Sequence, residues 1–214
     1  MKIKHILVDF DGVIRHWPYD DTEIEERYDL PIGTISETAF SKELLGPAIR
    51  GSITDEVWRE NICFKLAEKI PMSKANQAIE EWSENVGEIN ADIVRLLSSY
   101  SDVSLSLVTN ATSRLPSDLQ ALGIDSSFAN VFNSSDMGTV KPEFEFFYRV
   151  LEQLDVSPGE TVIVDDTVQN VDAAGHLGIN AHQFVNITML ESFLLNHLNR
   201  ITVSETSKSQ GESL

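Results

Sequence analysis

Asp9 and Asp11 close the apolar run HILVDFDGV, residues 5–13, with only Phe10 between them. In extended backbone, residues two apart project from the same face. The pair would therefore place two carboxylates on one side of a buried strand end. Like charges repel there, and an isolated buried carboxylate is costly. A second run, TVIVD, ends at Asp165 with Asp166 next, and a third, VSLSLVT, ends at the hydroxyl of Thr109. Taken alone, each Asp is as readily a helix cap, and Asp166 with Thr167 could simply open the helix that follows. Four carboxylates brought to one rim call for a cation, and hard oxygen ligands with room for water suit Mg²⁺.

The three runs read as buried parallel strands, each rich in Val, Ile or Leu and each ending in a polar group. In an open α/β sheet, ligands bind outside the carboxyl ends of the strands, which is where these polar groups fall. Helical patterns separate the runs. Leu115, Leu119 and Leu122 precede a stop at Gly123, and Pro142 suits the first turn of a helix carrying Phe146, Phe147, Val150, Leu151 and Leu154. Val168, Val171 and Ala174 share a helical face ending at Gly178, and Thr188 with Glu191 forms a capping-box pattern. Strands alternating with helices imply a parallel sheet with right-handed crossovers.

Residues 14–86 break this rhythm. They contain no convincing strand, but Thr22 and Glu25 could cap a helix. Trp58, Ile62, Leu66 and Ile70 recur every four residues, and Met72, Ala75, Ile79, Trp82 and Val86 alternate steps of three and four. Such stripes are most simply the packing faces of a small helical bundle. The closing polar stretch, VSETSKSQGESL, reads as a frayed tail.

Composition narrows the partners. Of 214 residues, 42% are hydrophobic, enough for a sizeable core. Thirty-four acidic residues against 16 basic ones give a formal charge of −18, which disfavours nucleic acid or an anionic membrane as partner. Cys63 is the only cysteine, so intrachain disulfides and thiolate metal clusters are excluded, and it reads as a packing residue. Neither a targeting signal nor a run long enough to span a bilayer is apparent, so a cytoplasmic protein is expected. Nothing in the pattern indicates an oligomeric state.

Four motifs occur in order: DFDGV, Thr109 within LVTNA, Lys141 within VKPEFEFF, and VDDTVQNVDAAGHLG. Together they resemble the haloacid dehalogenase superfamily of phosphohydrolases, in the subgroup with a helical cap inserted after the first strand. The resemblance implies an α/β fold: a parallel-sheet, Rossmann-like core at 1–13 and 87–202, a small helical cap at 14–86, and a disordered tail at 203–214. It further implies a Mg²⁺-dependent phosphohydrolase cleaving a small phosphomonoester, for instance a sugar phosphate, through an aspartyl-phosphate. Asp9 would be the nucleophile and Asp11 the general acid and base, its main-chain carbonyl also reaching the metal. Asp166 aligns with the family's metal ligand, Asp165 being the other candidate for direct contact and Asn170 a support. Lys141 would pair with both phosphate and Asp9. Thr109 and the Asn110 amide would donate to phosphate, and Gly12 would permit a tight turn close to it.

Asp11 argues against a dehalogenase, since carbon–halogen cleavage needs no acid for an alkoxide. The alternatives are a sugar-phosphate mutase of the same superfamily and a phosphate-accepting regulatory or binding module without turnover. Arg15, His16, Trp17, Arg50 and His176 receive no role from the sequence.

Overall fold

A computed structural model describes residues 2–198 of the chain. In chain order the elements are β1 (His5–Val8), β2 (Arg15–His16), α1 (Thr22–Arg27), α2 (Thr34–Ala39), α3 (Lys42–Ile49), α4 (Asp55–Leu66), α5 (Met72–Glu84) and β3 (Glu88–Ile89). There follow α6 (Ala91–Ser98), β4 (Ser104–Thr109), α7 (Leu115–Ala121), β5 (Asn130–Asn133), α8 (Ser134–Met137) and α9 (Phe144–Leu154). The chain continues through β6 (Thr161–Asp165), α10 (Val168–His176), β7 (Asn180–Gln183) and α11 (Ile187–Leu198).

Five strands form one parallel sheet in the order β5-β4-β1-β6-β7. Ile6, Val8, Leu107, Val162 and Val164 pack on one face with Ile93, Leu97 and Leu194. Leu7, Val108 and Ile163 pack on the other with Phe146, Phe147 and Val150. Burial on both faces is why the three central strands read as runs rich in Val, Ile and Leu, with Ser106 a buried exception in β4. Register sets the chemistry. Val8 lies opposite both Leu107 and Val164, so the chain leaves β1 with Asp9 beside Asp165.

The edge strands β5, NVFN, and β7, NAHQ, escaped the sequence reading because each is four residues long, pairs on one side, and has polar residues at half or more of its positions. Two helix starts and one helix face also differ. Pro142 follows a cis peptide and precedes α9, which begins at Phe144. In α11, Asn186 Oδ1 accepts from Met189 N at 3.0 Å, so Thr188 and Glu191 lie inside the helix instead of capping it. The buried face of α10 is Asn170, Ala173 and Ala174, with Val168 exposed.

Between β1 and α6 the chain forms five helices around a hydrophobic cluster of their own, with Leu30, Ile35, Trp58, Ile62, Leu66 and Ile79 at its centre. Cys63 is buried here, its thiol 3.0 Å from Asn76 Oδ1. The expectation of no strand in this segment needs correction: β2 pairs antiparallel with β3, Arg15 opposite Ile89, where the chain leaves and re-enters the sheet. Polar links tie the helices to the strand-end loops. Thr112 Oγ1 donates to Asp55 Oδ1 at 2.7 Å, Asp55 N to Ser113 Oγ at 2.9 Å and Arg114 Nη2 to Ser83 O at 2.7 Å. Arg50, left without a role above, pairs with Glu143 across the same boundary. Among the described residues no helix is long and apolar enough to cross a membrane. The expected tail at 203–214 lies outside the described residues.

Glu25 does not cap α1 with Thr22. Its carboxylate is buried and accepts from Gly33 N at 2.6 Å and Ile35 N at 2.7 Å, closing the start of α2. Removing it strands two backbone donors inside the bundle. Glu25→Ala should therefore lower stability by roughly 2–3 kcal/mol, read as a lower urea midpoint at unchanged slope. A wild-type midpoint would show that those amides find other partners.

Candidate active site

Asp9 N donates to Val164 O at 2.9 Å, which extends the β1–β6 ladder by one rung and fixes the two carboxylates as neighbours. The group between them is Lys141. Its ammonium lies 2.8 Å from Asp9 Oδ1, donates to Asp165 Oδ2 at 2.6 Å and donates to Val108 O at 2.9 Å. All three donors of the ammonium are thus used, one on the end of each central strand. Lys141 is held there by its own backbone: its N–H donates to Asn110 Oδ1 at 2.9 Å, and Asn110 Nδ2 donates back to its carbonyl at 2.8 Å. The Asn110 side chain is therefore committed, and what this residue can offer a ligand is its main chain.

Asp165 is fully buried and fully engaged. Besides Lys141 it accepts from Thr167 N at 2.9 Å and from Asn170 Nδ2 at 3.0 and 3.1 Å. Asp166 is exposed, and Thr167 Oγ1 alone among the described residues hydrogen-bonds its carboxylate, at 3.1 Å. Asp9 Oδ1 takes Phe10 N at 2.7 Å as well as Lys141, while no described residue donates to Oδ2. Carboxylate oxygens of Asp9, Asp165 and Asp166 lie within 4.8 Å of one another. With Asp165 occupied, the oxygens open to a hard cation are those of Asp9 and Asp166, and an all-oxygen set of this kind suits Mg²⁺ or a similar ion. Gly12, at φ +82°, brings the backbone against this group: a Cβ there would collide with the Asp166 carboxylate.

Asp11 departs from the expectation that four carboxylates converge. The strand ends at Val8 and the chain turns, Phe10 O accepting from Ile14 N at 2.9 Å and Arg15 N at 2.8 Å, so alternation no longer applies at Asp11. Its carboxylate is instead gripped by Arg15, Nε to Oδ1 at 2.7 Å and Nη2 to Oδ2 at 2.9 Å, and by Trp17 Nε1 at 3.1 Å. Arg15 is itself buried, stacked 4.2 Å over the Phe10 ring and bonded to Asp118 Oδ2 at 2.9 Å. The sequence reading missed Arg15, Trp17 and Asp118 as parts of the site. The i, i+4 spacing of Asp11 and Arg15 was the available signal, but it reads equally as a surface pair. His16 and His176 stay outside, His16 beside Glu88 and His176 Nδ1 against Asp172 O.

Two cavities meet at Asp11 and Asn110. The smaller, about 280 Å³, is lined by Asp9, Gly12, Thr109, Lys141, Asp166 and Asn170 together with those two. The larger, about 950 Å³, opens between the helices and the strand-end loops. Every residue named as a candidate from sequence, Asp165 apart, lines the smaller one.

The haloacid dehalogenase-like hydrolase family model matches residues 21–184. The chain belongs to that family. The matched stretch begins downstream of Asp9 and Asp11, so those two stand on their geometry. A HAD family enzyme from Bacteroides thetaiotaomicron, solved with magnesium and inorganic phosphate, superposes with a TM-score of 0.70 at 22% identity, over 88% of this chain and 98% of that one. A HAD-like hydrolase from Porphyromonas gingivalis gives 0.70 at 23% identity, over 91% and 98%. The L-2-haloacid dehalogenase of Xanthobacter autotrophicus, with chloropropionic acid covalently bound, gives 0.61 at 17% identity, over 91% and 82%. These likenesses establish the fold. Among curated proteins, a sesquiterpene phosphatase from Aspergillus oryzae is 44% identical over 52 residues, which is 24% of this chain and 26% of that protein.

Burial raises the Asp9 carboxyl from 3.8 to about 7, with Asp165 pushing the same way and Lys141 opposing. Burial alone would depress the Lys141 ammonium, but Asp9 and Asp165 together hold it above its ordinary value. In this HAD-like hydrolase stripped of divalent cations, Asp9 binds a proton in the folded state that it releases in the unfolded state. Its contribution to stability is complete below about pH 4 and is lost as pH rises through about 7. Thermal midpoints of cation-free protein should show this falling component, and Asp9→Asn should lack it. Identical pH profiles for the two proteins would contradict the buried-carboxyl account.

Proposed function

We propose that this hydrolase is a magnesium-dependent phosphomonoesterase working through an aspartyl-phosphate on Asp9. The observation that carries the reading is the buried Lys141 ammonium fixed between Asp9 and Asp165 in the wall of a cleft otherwise lined by oxygen donors and a glycine. A phosphoryl group needs positive charge on its equatorial oxygens and an in-line nucleophile, and Asp9 Oδ2 is the uncommitted oxygen beside that charge. The Bacteroides neighbour with magnesium and phosphate and the short match to a phosphatase point the same way.

Asp9 Oδ2 attacks phosphorus, and the bond from phosphorus to the ester oxygen breaks. Asp11 gives its proton to the departing oxygen, which leaves as the alcohol. The resulting Asp11 carboxylate then takes a proton from water, whose oxygen attacks phosphorus and frees Asp9 and inorganic phosphate. Asp11 stands where the two cavities join, between the phosphate cleft and the space for the ester group. Arg15 acts through it as a positioning residue, holding the carboxylate by two hydrogen bonds. Thr109 and the Asn110 main chain donate to the phosphoryl oxygens, and Lys141 neutralises them. Asp165 and Asn170 hold Lys141 and the β6 end in place. Asp9, Asp166 and the Asp11 carbonyl would hold Mg²⁺, which when bound supplies further positive charge against the phosphate. The helices of residues 14–86 form a cap over the core strands, and closing such a cap excludes water from the cleft. The presence of Asp11 favours phosphate chemistry over the dehalogenation performed by the Xanthobacter neighbour.

Asp9→Asn should abolish hydrolysis of p-nitrophenyl phosphate while keeping the wild-type circular dichroism spectrum. EDTA should silence the native enzyme and Mg²⁺ should restore it. Turnover by Asp9→Asn at the native rate, or activity indifferent to EDTA, would overturn the reading.

A further inference from the structure

The larger cavity is built differently from the phosphate cleft it adjoins, and its walls constrain the ester group. One wall is aromatic: the Trp58 and Trp82 ring centroids lie 5.8 Å apart, each 6.4 Å from the Phe40 ring. Trp17, Tyr19, Ile32 and Phe40 also line it, exposed at 48%, 76%, 68% and 59%. Apolar side chains scattered singly over a surface need no explanation, whereas apolar groups converging on one opening mark a binding surface.

Its cationic groups are already paired. Three arginines face the cavity: Arg15 is bound to Asp11 and Asp118, Arg59 to Asp55 at 2.5 Å, and Arg114 to Asp118 at 2.8 Å. Carboxylates outnumber them, with Asp20, Asp21 and Glu25 added to Asp11, Asp55 and Asp118. Of those three, Glu25 is engaged by two backbone amides, while Asp20 Oδ1 accepts from Thr22 N at 3.0 Å and Asp21 Oδ1 from Trp82 Nε1 at 2.9 Å. A second anionic group on the substrate would meet excess negative charge and no unpaired arginine among the described lining residues. A polyol would find many of its potential partners engaged, and although Arg59 lies over the Trp58 and Trp82 rings and Arg15 over Trp17, the Tyr19, Ile32 and Phe40 side chains stand open.

We propose that this cavity selects phosphomonoesters whose alcohol is apolar and uncharged, such as an aliphatic chain; the inference rests on the phosphatase reading above. The sugar phosphate suggested by family resemblance is then a poor substrate.

The test uses the full-length chain with Mg²⁺ and a series of butyl, hexyl, octyl and decyl phosphates below their micellar concentrations, beside glycerol phosphate, glucose phosphate and hexanediol bisphosphate. We expect kcat/KM to climb with chain length by up to about fourfold per methylene. Hexyl phosphate should exceed its bisphosphate counterpart at least about tenfold, as repulsion of the second anion requires. Phe40→Asn and Ile32→Asn, both on exposed rims, should flatten the climb. A flat series, a preference for glycerol or glucose phosphate, or an unchanged climb in both variants would overturn the proposal while leaving the phosphatase reading intact. Should no phosphate ester, p-nitrophenyl phosphate included, be hydrolysed, calorimetry with decyl and methyl phosphonate still decides it. Tighter binding of the decyl compound, weakened in Phe40→Asn, supports the apolar cavity, and equal affinities refute it.

Discussion

One buried ammonium lets the centre of this sheet exist. Parallel pairing of β1 with β6 places Asp9 and Asp165 side by side at the strand ends, both out of water. Two carboxylates in that position could not both stay ionised without a partner. Lys141 supplies it, and by also reaching Val108 O it closes the ends of β1, β4 and β6 over a single charge. Breaking a buried pair by removing one member typically costs about 3–5 kcal/mol, so the same contact that readies the chemistry also holds the strand ends together. The site is left with one engaged carboxylate, Asp165, and two with oxygens to spare, Asp9 and Asp166. That inequality of environment is what the proposed division between a structural Asp165 and a nucleophilic Asp9 rests on.

Much of this was legible before any coordinates. The central strands are covered on both faces, and runs rich in Val, Ile and Leu follow from that. The polar residues that end them fall on the ligand-binding rim by topology alone. Lys141 was harder: a lysine ahead of a helix is ordinarily solvated, and only its place between the other motifs drew attention to it. The edge strands were missed because they have one neighbour and a polar sequence, so neither periodicity nor hydrophobicity distinguishes NVFN or NAHQ from loop. Asp11 was placed wrongly in one respect. The alternation rule holds only in extended backbone, and the turn at Phe10 sends this carboxylate toward Arg15 and away from the other three. Glu25 shows the same limit, since its partners lie in the next helix.

The division of labour follows from the two cavities. The small cleft is polar, charged and assembled from three strand ends of the sheet. The large one is aromatic and contributed mainly by the helical segment, and the two share Asp11, the group assigned to pass a proton between phosphate chemistry and leaving group. The proposed chemistry thus falls on the strand ends, and the proposed selectivity on helices attached through a two-residue ribbon and a set of polar links. The haloacid dehalogenase-like fold is shared by proteins of differing chemistry, so the activity must be argued from the site and not from the fold.

The central claim is that the Asp9 oxygen beside Lys141 receives the phosphoryl group. A crystal structure of the full chain soaked with magnesium and beryllium fluoride tests it most directly. The account predicts the beryllium bonded to an Asp9 carboxylate oxygen, with the Lys141 ammonium against one fluoride and the metal between Asp9 and Asp166. Beryllium fluoride bound to another residue, or found only away from the smaller cleft, would contradict it.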